Sequence, residues 1–502
     1  MRNRNLIITS ALAAIAATAS AITVPDDQPT IVAAIGALGG TGTVLVRNTH
    51  TEAGFTLCCL TGPLEIISVD GANTPTPGAS VGGMIIDADD PVTFEGLTIG
   101  SGAGGFAILY TGNSYLASQH TLRNCILGPA GGAGIEIPGI PAGLNLFIED
   151  SVIDNNGGNG ISVFAPSTVT FAGTNSVSDN ATGIAAFATL TLNSTGSLTV
   201  SLNSNEGVWL NSANCVVDVD GGHFDSNNVH GFSNNGQSNL TATFTDTSFS
   251  NNNEVGLRLT GNGATLDGTV TLDRCTLTGN TPPGSGGGIL VADGIDLEVR
   301  SSLIAKNETG IFSGAIRCEN QANLKVVGCT IADNFSSNAT FLNADQVSID
   351  GGTASATAHF VNCVFTGADT SIEGGFGGQI SNSFFLNCLI DTVRGGDNGG
   401  FNGSNYGGNG AATFTASVSA PADLVDIAAD DFAPNVASAT VAAGATQAEV
   451  DAAFGAGFIT LPAFDLNGTG RPNPGSDTRS DIGAIEIPVS GSRVAEWEMF
   501  GR

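Results

Sequence analysis

Basic charge is what this chain has least of. Of 502 residues, 15 are Lys or Arg and 46 are Asp or Glu, and charged residues make up only 12%. Arg2 and Arg4 fall in an N-terminal leader; without them 13 basic residues face 46 acidic ones, a net charge near −33. Such a surface argues against nucleic acid as a partner, and it repels an acidic polysaccharide unless a cation mediates. Tyr and Trp, the aromatics suited to wet binding surfaces, number 3 and 2. Phe, which has no polar handle, numbers 26 and suits interior stacks. Past the leader, no stretch is long and apolar enough to cross a bilayer. The five His residues, at 50, 120, 223, 230 and 359, show no metal-ligand spacing.

What is present is a repeat. Leu272-Asp-Arg-Cys-Thr-Leu-Thr-Gly-Asn280 returns as Val326-Val-Gly-Cys-Thr-Ile-Ala-Asp-Asn334, 54 residues later, with a weaker copy from Val299 to Asn307 between them. Anchored on the small central residue, the copies fall at Leu97, Cys125, Ser151, Asn175, Val200, Gly222, Thr247, Cys275, Ser302, Cys329, Cys363 and Cys388. Most steps are 22 to 28 residues, with one of 34. The residue two past every anchor is apolar. Five past the anchor, Asn recurs as Asn156, Asn180, Asn205, Asn227, Asn252, Asn280, Asn307 and Asn334. Gly plus an apolar residue often follows, as at Gly160-Ile161, Gly207-Val208 and Gly256-Leu257. Each copy therefore reads as strand, Asn turn, second strand.

A period near 25 residues is too short for a propeller blade and fits one coil of a parallel β-solenoid. Anchor and anchor-plus-two lie on one side of a strand, so both face the interior. Asn tolerates the left-handed conformation of a sharp turn, and its amide both donates and accepts, so stacked Asn residues can bond along the axis. On these residues the chain resembles the right-handed parallel β-helix proteins of the pectate-lyase-like superfamily, in which an internal Asn ladder occupies one turn of successive coils. The resemblance covers roughly residues 85–395. It implies an all-β solenoid and leaves function open, since this fold hosts many activities.

Taken in order, residues 1–21 read as a secretory signal: Arg2 and Arg4, an apolar run from Leu6 to Ala17, and Ala19-Ser20-Ala21 as the cleavage site. Residues 22–60 hold a capping helix and the first strands. Asp27 is placed to cap that helix, Pro29 lies in its first turn, and Ile31, Ala34, Ile35 and Leu38 share a face. Such a helix covers the open end that the first coil would otherwise expose. Residues 61–395 are the coils, 396–490 a Gly- and Asn-rich closure with a C-terminal cap, and 491–502 a tail. Thr446-Gln-Ala-Glu449 is a capping-box signal. Among nine cysteines, Cys125, Cys275, Cys329, Cys363 and Cys388 are anchors and read as buried free thiols. The vicinal Cys58-Cys59 pair is open to three readings: strained disulfide, reactive site, or two unrelated thiols.

Phe464-Asp-Leu-Asn-Gly-Thr-Gly-Arg471, followed by Asp481-Ile-Gly-Ala-Ile-Glu486, resembles the closing motif of bacterial surface β-helix proteins of the choice-of-anchor Q type. Ile485 stands where that motif usually has an aromatic residue. Read physically, the segment is a terminal cap in which Arg471 pairs with Asp481 or Glu486 through a two-pronged bond; the alternative is a catalytic Arg–carboxylate site.

Catalytic signals are sparse. The Asn-Thr-Asp, Gly-His-Gly and Arg-Ile-Lys motifs of polygalacturonase relatives are missing; His230 follows Val229, not Gly. One basic cluster stands out, with Arg258, Arg274, Arg300, Lys306, Arg317 and Lys325 inside 68 residues. A Ca²⁺-dependent polysaccharide lyase would use Asp273 to hold the cation and Arg274, Arg300 or Lys306 to take a proton. The other reading is a surface ion-pair ladder. The expectation is an exported, cell-surface, non-catalytic β-helix with a structural, adhesive or carbohydrate-contact role, needing no cofactor; its partners are polysaccharide or cell-surface components.

Overall fold

The computed structural model describes residues 21–390, interrupted at 73, 102–104, 112–117, 140–142, 264–266, 285, 312, 338–345, 351–355, 367–371 and 375–382, and then pieces between 412 and 486. The leader, residues 396–410 and the tail lie outside the described residues. The chain is a right-handed parallel β-helix. A 28-stranded sheet takes two strands from most coils, and a 13-stranded sheet takes one. Every pairing within these two sheets is parallel and mostly in strict register, as from Ser167–Ser178 to Leu190–Ser201. One coil shows the plan: Asn145–Glu149, Val152–Asp154, the Asn156 turn, then Ile161–Val163 in the narrow sheet. The inward residues form one continuous apolar core from Val24 to Ile390.

Two polar columns run along this core. In the first, Asn252 donates its amide to Asn280 Oδ1 at 2.9 Å and to the Phe224 carbonyl at 3.0 Å, and its Oδ1 accepts from the backbone and side chain of Asn227. The rungs are Asn156, Asn180, Asn203, Asn227, Asn252, Asn280, Asn307 and Asn334, each at most 3% exposed. A Gln closes the column: Asn334 donates to Gln346 Oε1 at 2.7 Å. Asn205 is not a rung. It is exposed, while Asn203 accepts from Asn180 N at 3.1 Å and donates to Asn227 Oδ1 at 2.9 Å. The interior pair of that coil is therefore Leu198 and Val200, and Leu202 stands 57% exposed. The left-handed residue is not the ladder Asn either but the one before it, including Asn155, Asp179, Leu202, Asn251 and Lys306. The ladder position selects for the amide, not for the turn.

The second column is the anchors. The residue before each of several anchors is left-handed, among them Asn124, Asp150, Asp246, Arg274 and Ser301. That kink breaks the sheet ladder, and the anchor side chain repairs it. Ser151 Oγ, Thr247 Oγ1 and Ser302 Oγ donate to the carbonyl two residues earlier at 2.6–2.8 Å. The thiols of Cys125, Cys275, Cys329, Cys363 and Cys388 do the same at 3.3–3.6 Å. At these coils a small O–H or S–H donor does the repair, which is why Cys, Ser and Thr interchange there; Leu97 and Gly222 hold the same position without one. All nine cysteines are free; seven are buried, and Cys58 and Cys59 are exposed.

At the front, Ile31–Ala37 is the helix, and its cap is Thr30, whose Oγ1 accepts from Ala33 N; Asp27 instead accepts from Thr23 N. Pro29 precedes the helix rather than opening it, and Ala21–Val24 already pairs with Gly42–Arg47. At the back, strand pairing runs past residue 395, since Ala412–Thr415 adds to Ser383–Leu386. The closing segment then turns back along the outside of the wide sheet. Val450 and Ile459 cover Val327, Val361 and Leu386; Phe432 covers Leu303, Ala305 and Ala332; Ile482 covers Val364 and Leu389. Gln447–Phe454 is a helix opened by the Thr446–Glu449 capping box.

Arg471 sits in this closure, but its bond is not two-pronged. Its Nε lies 3.6 Å from Glu486 Oε1, while Nη1 and Nη2 donate to the carbonyls of Asp481 and Gly483 at 3.4 and 2.5 Å. Asp465, Asp481 and Glu486 are all nearly inaccessible beside it. Burial pushes the Glu486 carboxyl up to about 7, with Asp481 and Asp465 adding to the rise and Arg471 opposing it. A carboxyl raised on folding contributes stability below its unfolded pKa and loses it as pH climbs through the folded value. The closure is therefore expected to loosen between about pH 5 and about pH 8. Glu486→Gln, which keeps the shape without the proton, removes that loss. Hydrogen exchange of residues 447–486 in both proteins at both pH values checks it; equal pH dependence in the two proteins contradicts it.

Candidate functional site

Three side-chain groups on the outer surface merit a chemical reading. The first is the basic patch. Asp273 and Arg300 are register partners on the wide sheet. Arg274 grips Asp246 with two bonds, Nε–Oδ1 at 2.8 Å and Nη2–Oδ2 at 2.7 Å, and reaches Asp273 Oδ2 at 3.3 Å. Arg300 pairs with Glu298 at 2.8 Å. Asp246 and, less strongly, Asp273 raise the Arg274 pKa above its ordinary value. Lys306 sits at another corner of the coil, its Nζ 5.8 Å from the centre of the Phe432 ring in the closing segment. The arrangement is an ion-pair ladder across stacked coils, and neither arginine is poised to accept a proton. It brings Asp273, Arg274 and Arg300 together and leaves Lys306 apart.

The second group is His223, Ser248 and Asp225. The His223 Nδ1 is 2.9 Å from Ser248 Oγ, and that hydroxyl donates to Asp225 Oδ2 at 2.8 Å. Asp225 Oδ1 accepts from Ser250 N at 2.7 Å. Nucleophilic catalysis needs the imidazole between hydroxyl and carboxylate, taking the serine proton. Here the serine proton goes straight to the carboxylate, so the three are a hydrogen-bonded surface brace.

The third group lies on the narrow sheet, the face that none of the closing segment's contacts described above reaches. Two outward columns run along it. One reads Glu136, Ser162, Ala185, Trp209, Ser233, Arg258, Leu290 and Arg317 in strict register. The other, just past the strand ends, carries Phe164 and Phe187 in successive coils. Their rings stack with centroids 4.6 Å apart and 3° between planes, and Phe187 meets Trp209 edge to face at 5.2 Å. Phe164 and Phe187 are 40% and 36% exposed. Small residues, Ser162 and Ala185, occupy the adjacent outward positions and are themselves buried. The result is a three-ring aromatic ridge, a contiguous apolar surface suited to contact with a ligand.

Beyond Trp209 the ridge runs into polar groups. Ser233, one coil on, is fully buried, and its Oγ has no hydrogen-bond partner. His230 is 7% exposed, with Nδ1 unpartnered and 3.9 Å from Glu254 Oε2. Burial, reinforced by the charge of Arg258, lowers the His230 pKa to about 3, so the ring is neutral near pH 7. Burial raises the Glu254 carboxyl, Arg258 opposes this and Glu206 adds to it, so these three charges share one neighbourhood. Seven of the eight described arginines are in ion pairs, at 47, 123, 274, 300, 317, 471 and 479. Arg258 is the exception: it makes neither a hydrogen bond nor an ion pair with the described residues. None of Phe164, Phe187, Trp209, Glu206, His230, Ser233 and Glu254 stood out from the sequence as a site residue. Counting on from the Gly that opens each second strand finds them: Trp209, Ser233 and Arg258 are two past Gly207, Gly231 and Gly256, and the two Phe are four past Gly160 and Gly183.

A family model described as "Right handed beta helix region" matches residues 82–241 and 206–385, which together make up more than half of the chain. No curated protein sequence matches. Solved structures are similar too, among them the following two. Pectate lyase Pel9A shares 12% identity over 91% of this chain and 91% of its own, with a TM-score of 0.32. The A-module of mannuronan C-5 epimerase AlgE6 from Azotobacter vinelandii shares 12% over 78% of this chain and 94% of its own, with a TM-score of 0.21.

Proposed function

The chain belongs to the right-handed β-helix family, and from that premise we propose that it is an exported, surface-displayed solenoid that holds a glycan without cleaving it. The observation that carries the reading is the ridge of exposed Phe164 and Phe187 and half-buried Trp209 on the narrow sheet, which none of the closing segment's described contacts reaches. Sugar rings present apolar C–H faces to aromatic side chains and hydroxyls to polar neighbours, and this surface offers both. Export is supported by the leader of residues 1–21 and display by the resemblance of residues 464–486 to a surface-protein closing motif. The absence of cleavage is supported by the ion-paired state of Arg274 and Arg300, the residues a lyase would need as bases.

The test is co-sedimentation and calorimetry of the leaderless protein with a panel of polysaccharides. Binding to at least one glycan is expected, weakened roughly tenfold or more by Trp209→Ala and by Phe187→Ala. Pectate, alginate and chondroitin-type polymers should yield no unsaturated product, with or without Ca²⁺. Turnover that disappears in Arg300→Ala or Lys306→Ala would reverse the non-catalytic assignment.

A further inference from the structure

Resting on the ridge reading, we infer that its Trp209–Ser233–Arg258 end is a subsite for one ring of an uncharged glycan, with the sugar packed on Trp209 and its hydroxyls held by Arg258 and Glu254. The three positions are register partners in consecutive coils. At the usual strand spacing, Trp209 and Arg258 are about 9.6 Å apart along the axis, with a small side chain between two large ones. Beneath these side chains, Ser233 Oγ and His230 Nδ1 are buried without hydrogen-bond partners.

The charge pattern selects a neutral ligand. A guanidinium only donates and a carboxylate only accepts, so Arg258 beside Glu254 and Glu206 complements hydroxyls, which do both. An anionic sugar attracted to Arg258 would meet two carboxylates in the same neighbourhood. The formal charge of the whole chain, −31, opposes a polyanion from a distance. Arg258 is available for this because, unlike the other described arginines, it has no ion-pair partner to give up. His230, neutral near pH 7, adds no charge of its own there.

The experiment titrates the leaderless protein with neutral mannan, xylan and mixed-linkage β-glucan, and with anionic pectate and alginate, at low and high salt. Proteins compared are the wild type, Phe187→Ala, Trp209→Ala, Arg258→Ala and Glu254→Gln, each first checked for an unchanged melting temperature and circular dichroism. The expected result is a neutral glycan bound with little salt dependence, and weakened roughly tenfold by Arg258→Ala and by Glu254→Gln. If Phe187→Ala and Trp209→Ala weaken binding while Arg258→Ala and Glu254→Gln do not, the subsite is wrong and the ridge reading stands. If a polyuronate binds more tightly than any neutral glycan, and salt or Arg258→Ala abolishes that binding, the neutral-ligand assignment is overturned. If Trp209→Ala changes nothing, the ridge reading and the subsite fall together.

Discussion

Phe249→Ala is expected to lower the unfolding free energy by about 3–5 kcal/mol. Phe249 is fully buried where four rings from all three strand positions of neighbouring coils meet. Its centroid lies 5.2 Å from Phe224 and 5.1 Å from Phe244, and Phe232 packs edge-on to both of those rings. A cavity here cannot collapse easily. The coil spacing is set by in-register hydrogen bonds along the whole axis, so the backbone on either side is not free to close in. The deletion should therefore cost toward the upper end of the usual range for a large core residue. Urea unfolding followed by circular dichroism reads the change; a loss below about 1 kcal/mol contradicts the interior stack.

Asn252→Ala should follow, at about 2–4 kcal/mol, with Asn205→Ala within about 0.5 kcal/mol of wild type. The Asn252 amide makes four bonds inside the core, two given and two received. Removing it strands the Asn227 amide and the Phe224 carbonyl away from water, and a buried polar group without a partner costs more than its hydrogen bond was worth. Asn205 is exposed and forms no rung. The pair of substitutions thus separates the register found in the structure from the one read off the repeat. Equal cost at both positions would mean that the column does not run through Asn203.

That register shows what was legible and what was not. Ser197 to Asn205 alternates Leu198, Val200, Leu202 with Asn at both 203 and 205. A slip of two residues keeps every side chain on its own face, so alternation alone cannot choose between the two readings. The distance to the Gly that opens the second strand does choose: Asn156, Asn227 and Asn252 precede Gly160, Gly231 and Gly256 by four residues, as Asn203 precedes Gly207, whereas Asn205 precedes it by only two. The lateral closure was also written in the outward positions. Threonines such as Thr243, Thr245, Thr271 and Thr278 give way to Ala305, Ala332, Val361 and Leu386, the change expected where an exposed face becomes a covered one. What the closing segment would place there depended on tertiary contacts far apart in sequence. The ridge was hidden for a different reason. The repeat was aligned on the wide sheet, and the narrow-sheet columns drift relative to it because the loops between differ in length. Few aromatics are polar-tipped in this chain, yet one of its two Trp residues, Trp209, lies on that ridge.

The scarcity of Trp makes the decisive measurement simple. Only Trp209 and Trp497 exist, and Trp497→Phe leaves Trp209 as the sole indole reporter. The account predicts that the emission of this single-tryptophan protein changes on addition of the bound glycan and saturates with the dissociation constant found by calorimetry. Glycan binding registered by calorimetry with no change in Trp209 emission would place the ligand elsewhere on the solenoid and contradict the account.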